Sequence, residues 1–220
     1  MASRVEPTTA PAPTRQSLIE AAGEVFAEVG FRNATIRDIC RRAGANVAAV
    51  HYHYGDKEQL YVEVWRYAQE RAAAQYPTDL GVAPTAPVEQ RLHAFVRAYL
   101  LRIFDDGPTA WSGRLIAREM IEPTHALDQV VEEKIRPQTD QLRLIVREAF
   151  GRAADEQVVR KCGYSIVGQC LFYCHCRPVL CRVFPDMKFG AAEIEQLADH
   201  ITEFSLAAIR QMARRRKAKQ

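Results

Sequence analysis

The sequence predicts an all-α protein, on three observations. Apolar residues recur at the helical spacing along most of the chain. No segment of useful length alternates with the two-residue period of a strand. The interruptions are short clusters of Pro, Gly and Thr, which end helices rather than begin hairpins. At 220 residues the chain can bury a real core, and 48% hydrophobic with 26% charged residues is ordinary globular composition. The net charge of +3 is too small to imply a polyanionic partner by itself, so any basic footprint has to be local. No run of about 18 apolar residues suggests a membrane span. The opening MASRVEPTTAPAPTR lacks a signal-peptide core and reads as a flexible arm over 1–13. Six cysteines without zinc-finger spacing and without an export signal read as reduced thiols of a cytoplasmic protein.

In chain order, a first helix is expected from about Thr14 to Val29, with Leu18, Ala22, Phe26 and Val29 on one stripe and Ile19 and Val25 widening it. The stretch Thr35 to Lys57 then reads as two short helices around a tight turn. Thr35 can N-cap the first of them, with Asp38 three residues on. Ile36, Ile39 and Cys40 give it an apolar face, and Gly44 suits the left-handed exit. Asn46 can cap the second, whose Val47, Val50 and Tyr54 share a buried face. Ala48, Ala49, His51, Tyr52 and His53 are left outside, a row of small residues and hydrogen-bonding rings suited to a DNA groove. Arg32, Arg37, Arg41, Arg42 and Lys57 supply local positive charge around it. Asp56 caps a fourth helix running to about Gln75, with Leu60, Val64 and Tyr67 in register and Tyr61 and Trp65 alongside.

The Pro- and Gly-rich stretch at 76–87 reads as a linker. Helices are expected over Val88–Phe104, with Leu92, Phe95, Val96, Tyr99 and Ile103 on its stripe, and over Trp111–Ile121. A long one follows over Thr124–Phe150, in which Pro137 should kink or split the ladder. Two more cover Asp155 to about Leu180 and Phe189 to about Arg214, the last carrying Ile194, Leu197, Ile201, Phe204 and Ile209. These last two are apolar on more than one face and need cover on more than one side, which a second subunit would supply.

Catalytic signatures are missing: no nucleophile elbow, no zincin motif, no phosphate loop and no dinucleotide fingerprint, so no enzyme activity, cofactor or metal is expected. Asp105-Asp106 and Glu132-Glu133 read as helix-end and surface charges. Cys170, Cys174, Cys176 and Cys181 with His175 form an unusual cluster, yet one straight helix cannot wrap four ligands around zinc. Burial in a core is the simpler reading, and thiol or metal sensing is the alternative.

The segment FAEVGFRNATIRDICRRAGANVAAVHYHYGDKEQL resembles the N-terminal domain of the TetR family of bacterial repressors. Phe26, Gly30, Phe31, Thr35, Gly44, the run His51-Tyr52-His53-Tyr54 and Lys57-Glu58 carry the likeness; His51 replaces a usual Tyr and Gly55 a frequent Pro. LIAREMIEPTHALDQVVEEKIRPQ is similar to the effector domain of the subgroup named for cephalosporin and chloramphenicol sensitivity. The resemblance implies a helix-turn-helix DNA-binding domain at 14–58 and a helical effector-binding and dimerisation domain at 59–220. It further implies a homodimer on double-stranded operator DNA, repressing until a small-molecule effector releases it. Carried onto this chain, Thr35, His51, Tyr52, His53 and Lys57 would contact phosphates, while Arg37, Asn46, Ala48 and Ala49 would face base edges. An apolar effector pocket between helices is expected, with Tyr99, Trp111, Met120, Phe172 and Tyr173 as candidate lining. Other readings on the same residues are a redox- or metal-responsive regulator using Cys170–Cys181, and a helical enzyme or binding module with an incidental helix-turn-helix.

Overall fold

A computed structural model describes residues 15–105, 107, 110–151 and 154–218. The arm at 1–13, Asp106 and the last two residues lie outside them. All regular structure among the described residues is helical. The helices are α1 (Arg15–Asn33), α2 (Ile36–Ala43), α3 (Val47–Tyr54), α4 (Lys57–Gln75), α5 (Val88–Ile103), α6 (Trp111–Ile121), α7 (Ala126–Val130), α8 (Arg136–Phe150), α9 (Glu156–His175), α10 (Arg177–Val183) and α11 (Ala191–Lys217).

Apolar side chains sort into two cores. The first gathers Leu18, Phe26, Ile39, Val50, Leu60, Tyr61 and Trp65 from α1 to α4, and it also takes Trp111, Leu115, Ala126 and Val130 from α6 and α7. The second is built from α5, α8, α9 and α11 around Leu92, Leu100, Val146, Ile166, Cys170 and Ile201. The first core thus joins α6 and α7 to the four helices of 15–75.

Close approach of α6 to α1 depends on Gly23. A Cβ there would overlap the indole ring of Trp111, so only hydrogen lets the two helices meet. Gly30 has φ 80° and ψ 164°, a backbone conformation that breaks α1 near its end and that L side chains rarely adopt.

Several expectations are corrected. Val29 stands just before that break and is 40% exposed; Phe31, beyond it, packs on the core instead. Val47 opens α3 on the outside at 39% exposure, and Ala45 and Ala49 pack against the core in its place. The stretch carrying Pro137, expected as one kinked or split helix, is α7, a π-helical turn and α8 in succession. Pro137 sits in the first turn of α8, directly after the π-helical turn over Val131–Ile135. The Arg136 amide bonds the Val131 carbonyl, five residues back. The wider turn is how the ladder passes a residue with no N–H to give. The segment expected as one helix to Leu180 is two, with the chain breaking at Cys176 and Pro178 opening α10.

Gly23→Ala should cost about 1–3 kcal/mol, the usual range for overpacking a core. A lowered thermal midpoint in circular dichroism, with the α-helical spectrum retained, is the expected result.

Candidate nucleic-acid interface

The helix-turn-helix is fixed from inside. Thr35 caps α2, its hydroxyl accepting from the Asp38 amide at 3.1 Å and donating to Asp38 Oδ2 at 2.6 Å. That hydroxyl contact, with Arg41 adding its charge, holds the Asp38 carboxyl below its ordinary range. Gly44 leaves α2 in the left-handed conformation at φ 65°. The amide of Ala45 bonds Cys40 O at 2.8 Å and that of Gly44 bonds Arg41 O at 3.5 Å, a Schellman exit. Asn46 Oδ1 accepts from the Ala49 amide at 2.8 Å and starts α3. Val50 and Tyr54 anchor α3 on the core, and the Tyr54 hydroxyl donates to the Arg15 carbonyl at 2.6 Å.

What remains on the outside is a ridge. Ala48, His51, Tyr52 and His53 are exposed, with Tyr52 at 86%. The Tyr52 and His53 rings meet edge to face with centroids 5.0 Å apart. His51 Nδ1 lies 2.6 Å from the Gly55 carbonyl, which can only accept; Nδ1 therefore carries the hydrogen, and Nε2 is left for another partner. Arg37 is exposed and has no ion pair among the described residues. Arg41 and Arg42 are spent on Asp38 and on Glu28 with Glu24. Ala49 is only partly exposed and packs on the core, so of the two alanines Ala48 is the bare one.

Lys57, expected to contact phosphate, already has partners within the chain. Its Nζ donates to the carbonyls of Phe31 at 3.0 Å and Ala34 at 3.1 Å, and it sits 4.5 Å from the centre of the Phe31 ring. It seals the end of α1 onto the start of α4, with one ammonium hydrogen to spare. Opposite, Arg118 of α6 donates through Nε to Ala27 O at 3.0 Å and through Nη2 to Glu28 O. Two cations on the C-terminal carbonyls of α1 also suit its macrodipole.

Sequence reasoning missed Arg118 and its neighbour Glu119. The Glu119 carboxylate is buried and receives the Tyr61 hydroxyl at 2.5 Å, the Thr124 amide at 3.0 Å and the Thr124 hydroxyl at 2.9 Å. Burial, with the adjacent carboxylate adding to it, pushes the Tyr61 phenol far above its ordinary value, so it stays a donor. One signal was available: Trp111, Leu115 and Glu119 share a helical stripe, and a charge on an apolar stripe needs buried partners.

The proposed effector lining does not assemble. Trp111 belongs to the first core, Tyr99 and Tyr173 pack against the second, and Met120 and Phe172 are exposed. The cysteines disperse too. Cys170 is buried, Cys174 donates to Ile103 O at 3.5 Å and Cys181 to Met187 O at 3.9 Å. Among the described residues no three cysteine or histidine groups of that cluster converge as metal ligands.

A helix-turn-helix braced by a third helix, with its second helix bare outside and helical bodies behind, is the arrangement of a DNA-binding transcriptional regulator. The chain belongs to the TetR family of bacterial transcriptional regulators. Residues 18–64 match the bacterial regulatory proteins of the tetR family, and residues 88–209 match the C-terminal domain of the HTH-type transcriptional dual regulator CecR. CecR of Shigella flexneri is 28% identical over 173 residues, 72% of this chain and 74% of its own. The HTH-type transcriptional regulator SrpR of Pseudomonas putida is 36% identical over 87 residues, 40% of this chain and only 38% of SrpR. The TetR family regulator PfmR from Thermus thermophilus shares the fold with a TM-score of 0.60 at 20% identity, over 86% of this chain and 97% of that one. No helix is long and apolar enough to cross a membrane among the described residues.

Burial pushes the Cys170 thiol up to about 12 and raises that of Cys174 as well. A thiol whose folded value is raised stays protonated through neutral pH, and only the thiolate reacts. Iodoacetamide at pH 7 should therefore leave both unmodified in the native chain and label them after unfolding, as read by peptide mass spectrometry.

Proposed function

We propose that this regulator works as a homodimer that holds operator DNA through α3 and represses until a small molecule shifts the dimer. The observation that carries the reading is the split of α3: one face locked to the core by Val50 and Tyr54, the other a bare ridge of Ala48, His51 and Tyr52. In this reading Ala48 and Arg37 approach base edges, and Asn46 keeps its amide nitrogen for the same purpose. Tyr52, His53 and His51 Nε2 approach phosphates. Thr35 has its hydroxyl committed to Asp38, so its part is to aim the first-turn amides of α2. Lys57 acts mainly by position, with its remaining hydrogen for a phosphate.

Dimerisation is supported by an unpartnered apolar row on the last long helices. Tyr164 and Phe172 on α9 and Phe204 and Met212 on α11 are exposed, although the two helices pack side by side through their other faces. A two-fold dimer must set its two reading helices about 34 Å apart to enter successive major grooves. A ligand that prefers a dimer of different spacing ends binding, and equal affinity for both states would do nothing. The Arg118 and Glu119 contacts make α6 the arm that carries such a change to α1 and α4. Trp65 lies fully inside the core and is a packing residue.

In gel shifts with fragments recovered from a genome-wide footprint, Ala48→Glu should abolish operator binding while helicity and melting stay at parent values. Survival of binding within a few-fold would remove α3 from the groove. Phe204→Glu should give a monomer in sedimentation and weaken operator binding by at least about tenfold, since two half-sites are no longer held together. A Phe204→Glu chain that remains dimeric would place the interface elsewhere.

A further inference from the structure

Between α5 and α11 lies a groove of about 770 Å³. Glu195, Asp199 and Thr202 follow one stripe of α11 at i, i+4 and i+7, and His93 and Arg97 face them from α5. His93 Nε2 stands 3.0 Å from Asp199 Oδ1 and 3.5 Å from Glu195 Oε1. That nitrogen is buried and makes no hydrogen bond. The other oxygen of Glu195 is held by Arg97 Nε. Thr202 is 5% exposed, and its buried hydroxyl has no partner. The rim is acidic in balance: Glu89, Glu195, Asp199 and Glu203 against Arg97 and Arg210.

We propose that His93, Glu195 and Asp199 form an open binding site for a divalent transition-metal ion of the zinc class. Their three ligand atoms all lie within 4.8 Å of one another. A tetrahedral ion with bonds of about 2.0–2.2 Å needs ligand atoms about 3.4 Å apart, close to the spacings His93 already keeps with the two carboxylates. An imidazole with two carboxylates and no thiolate suits Zn²⁺ or its neighbours in the first row; Mg²⁺ and Ca²⁺ want six or more oxygens. Arg97 fixes the Glu195 carboxylate from behind, as an outer partner does for a metal ligand. The fourth position falls to water, for which the Thr202 hydroxyl is the waiting partner. An ion here joins α5 to α11 across the groove and offsets its excess of acid.

The test uses the full chain, stripped with chelator and titrated with Co²⁺ as a spectroscopic probe, with Zn²⁺ then competing it away. The expected result is a tetrahedral-type visible spectrum at one ion per protomer, without thiolate-to-cobalt charge transfer. His93→Gln and Asp199→Asn should each weaken binding by about tenfold or more, Cys174→Ser should leave it unchanged, and Zn²⁺ should raise the melting temperature of the parent and of Cys174→Ser but not of the two ligand variants. Asp199 is exposed, so Asp199→Asn decides the matter should His93→Gln fail to fold. A thiolate charge-transfer band, equal affinity in parent and Asp199→Asn, or no spectrum below millimolar Co²⁺ would overturn the site. Because the ion is read directly, that failure leaves the operator-binding reading where it stands.

Discussion

The molecule turns on the broken end of α1. Gly30 interrupts the helix, so carbonyls around the break lose their usual donors within it. A carbonyl left bare in a packed region is costly, and here two cations take the place of the missing amides. Arg118 takes Ala27 and Glu28 from the side of α6, and Lys57 takes Phe31 and Ala34 from the side of α4. The break and its two caps set how α1, α4 and the returning α6 meet. Neither the break nor its two caps stands alone. Remove the glycine conformation and the carbonyls close on their own helix; remove either cation and two carbonyls lose that partner.

Beside this joint lies the buried Glu119. Sinking a carboxylate is expensive, and three donors from Tyr61 and Thr124 offset that cost. Arg118 and Glu119 are consecutive, so one turn of α6 grips α1 with a cation and α4 with an anion. Charge-assisted bonds of opposite sign at adjacent residues fix the helix in rotation as well as in distance. This is a directional fit that apolar packing by Trp111 and Leu115 could not give by itself.

Much of this was legible in the sequence where a local rule decides the outcome. The caps at Thr35, Asn46 and Asp56 and the left-handed Gly44 follow from side-chain chemistry within four residues, and each lies where the spacing puts it. The ridge of α3 followed from its period, apart from Val47 and Ala49, whose burial depends on tertiary packing that the period does not carry. The rest needed tertiary information. Lys57 was readable as a helix-start cation, but not as the partner of carbonyls 26 and 23 residues back. The aromatic set expected around an effector pocket lies apart for the same reason: helical periodicity says that Trp111 and Tyr99 are inside, not that they are inside different cores. His93 is about a hundred residues from Glu195 and Asp199 and meets them only because α11 packs along α5.

The return of α6 and α7 to the first core has a consequence for how such proteins exchange parts. The segment matching the CecR-type domain, 88–209, supplies Trp111, Leu115, Ala126 and Val130 to the core of the reading unit. A recombination that cut the chain in the linker at 76–87 would hand the incoming half a slot at Gly23 shaped for one particular indole, and carbonyls awaiting one particular arginine. The seam along which the protein could be re-sorted, in a genome or in a designed chimaera, therefore runs through the first core rather than between its halves. A grafted sensor would have to bring its own α6 already fitted to the α1 it meets.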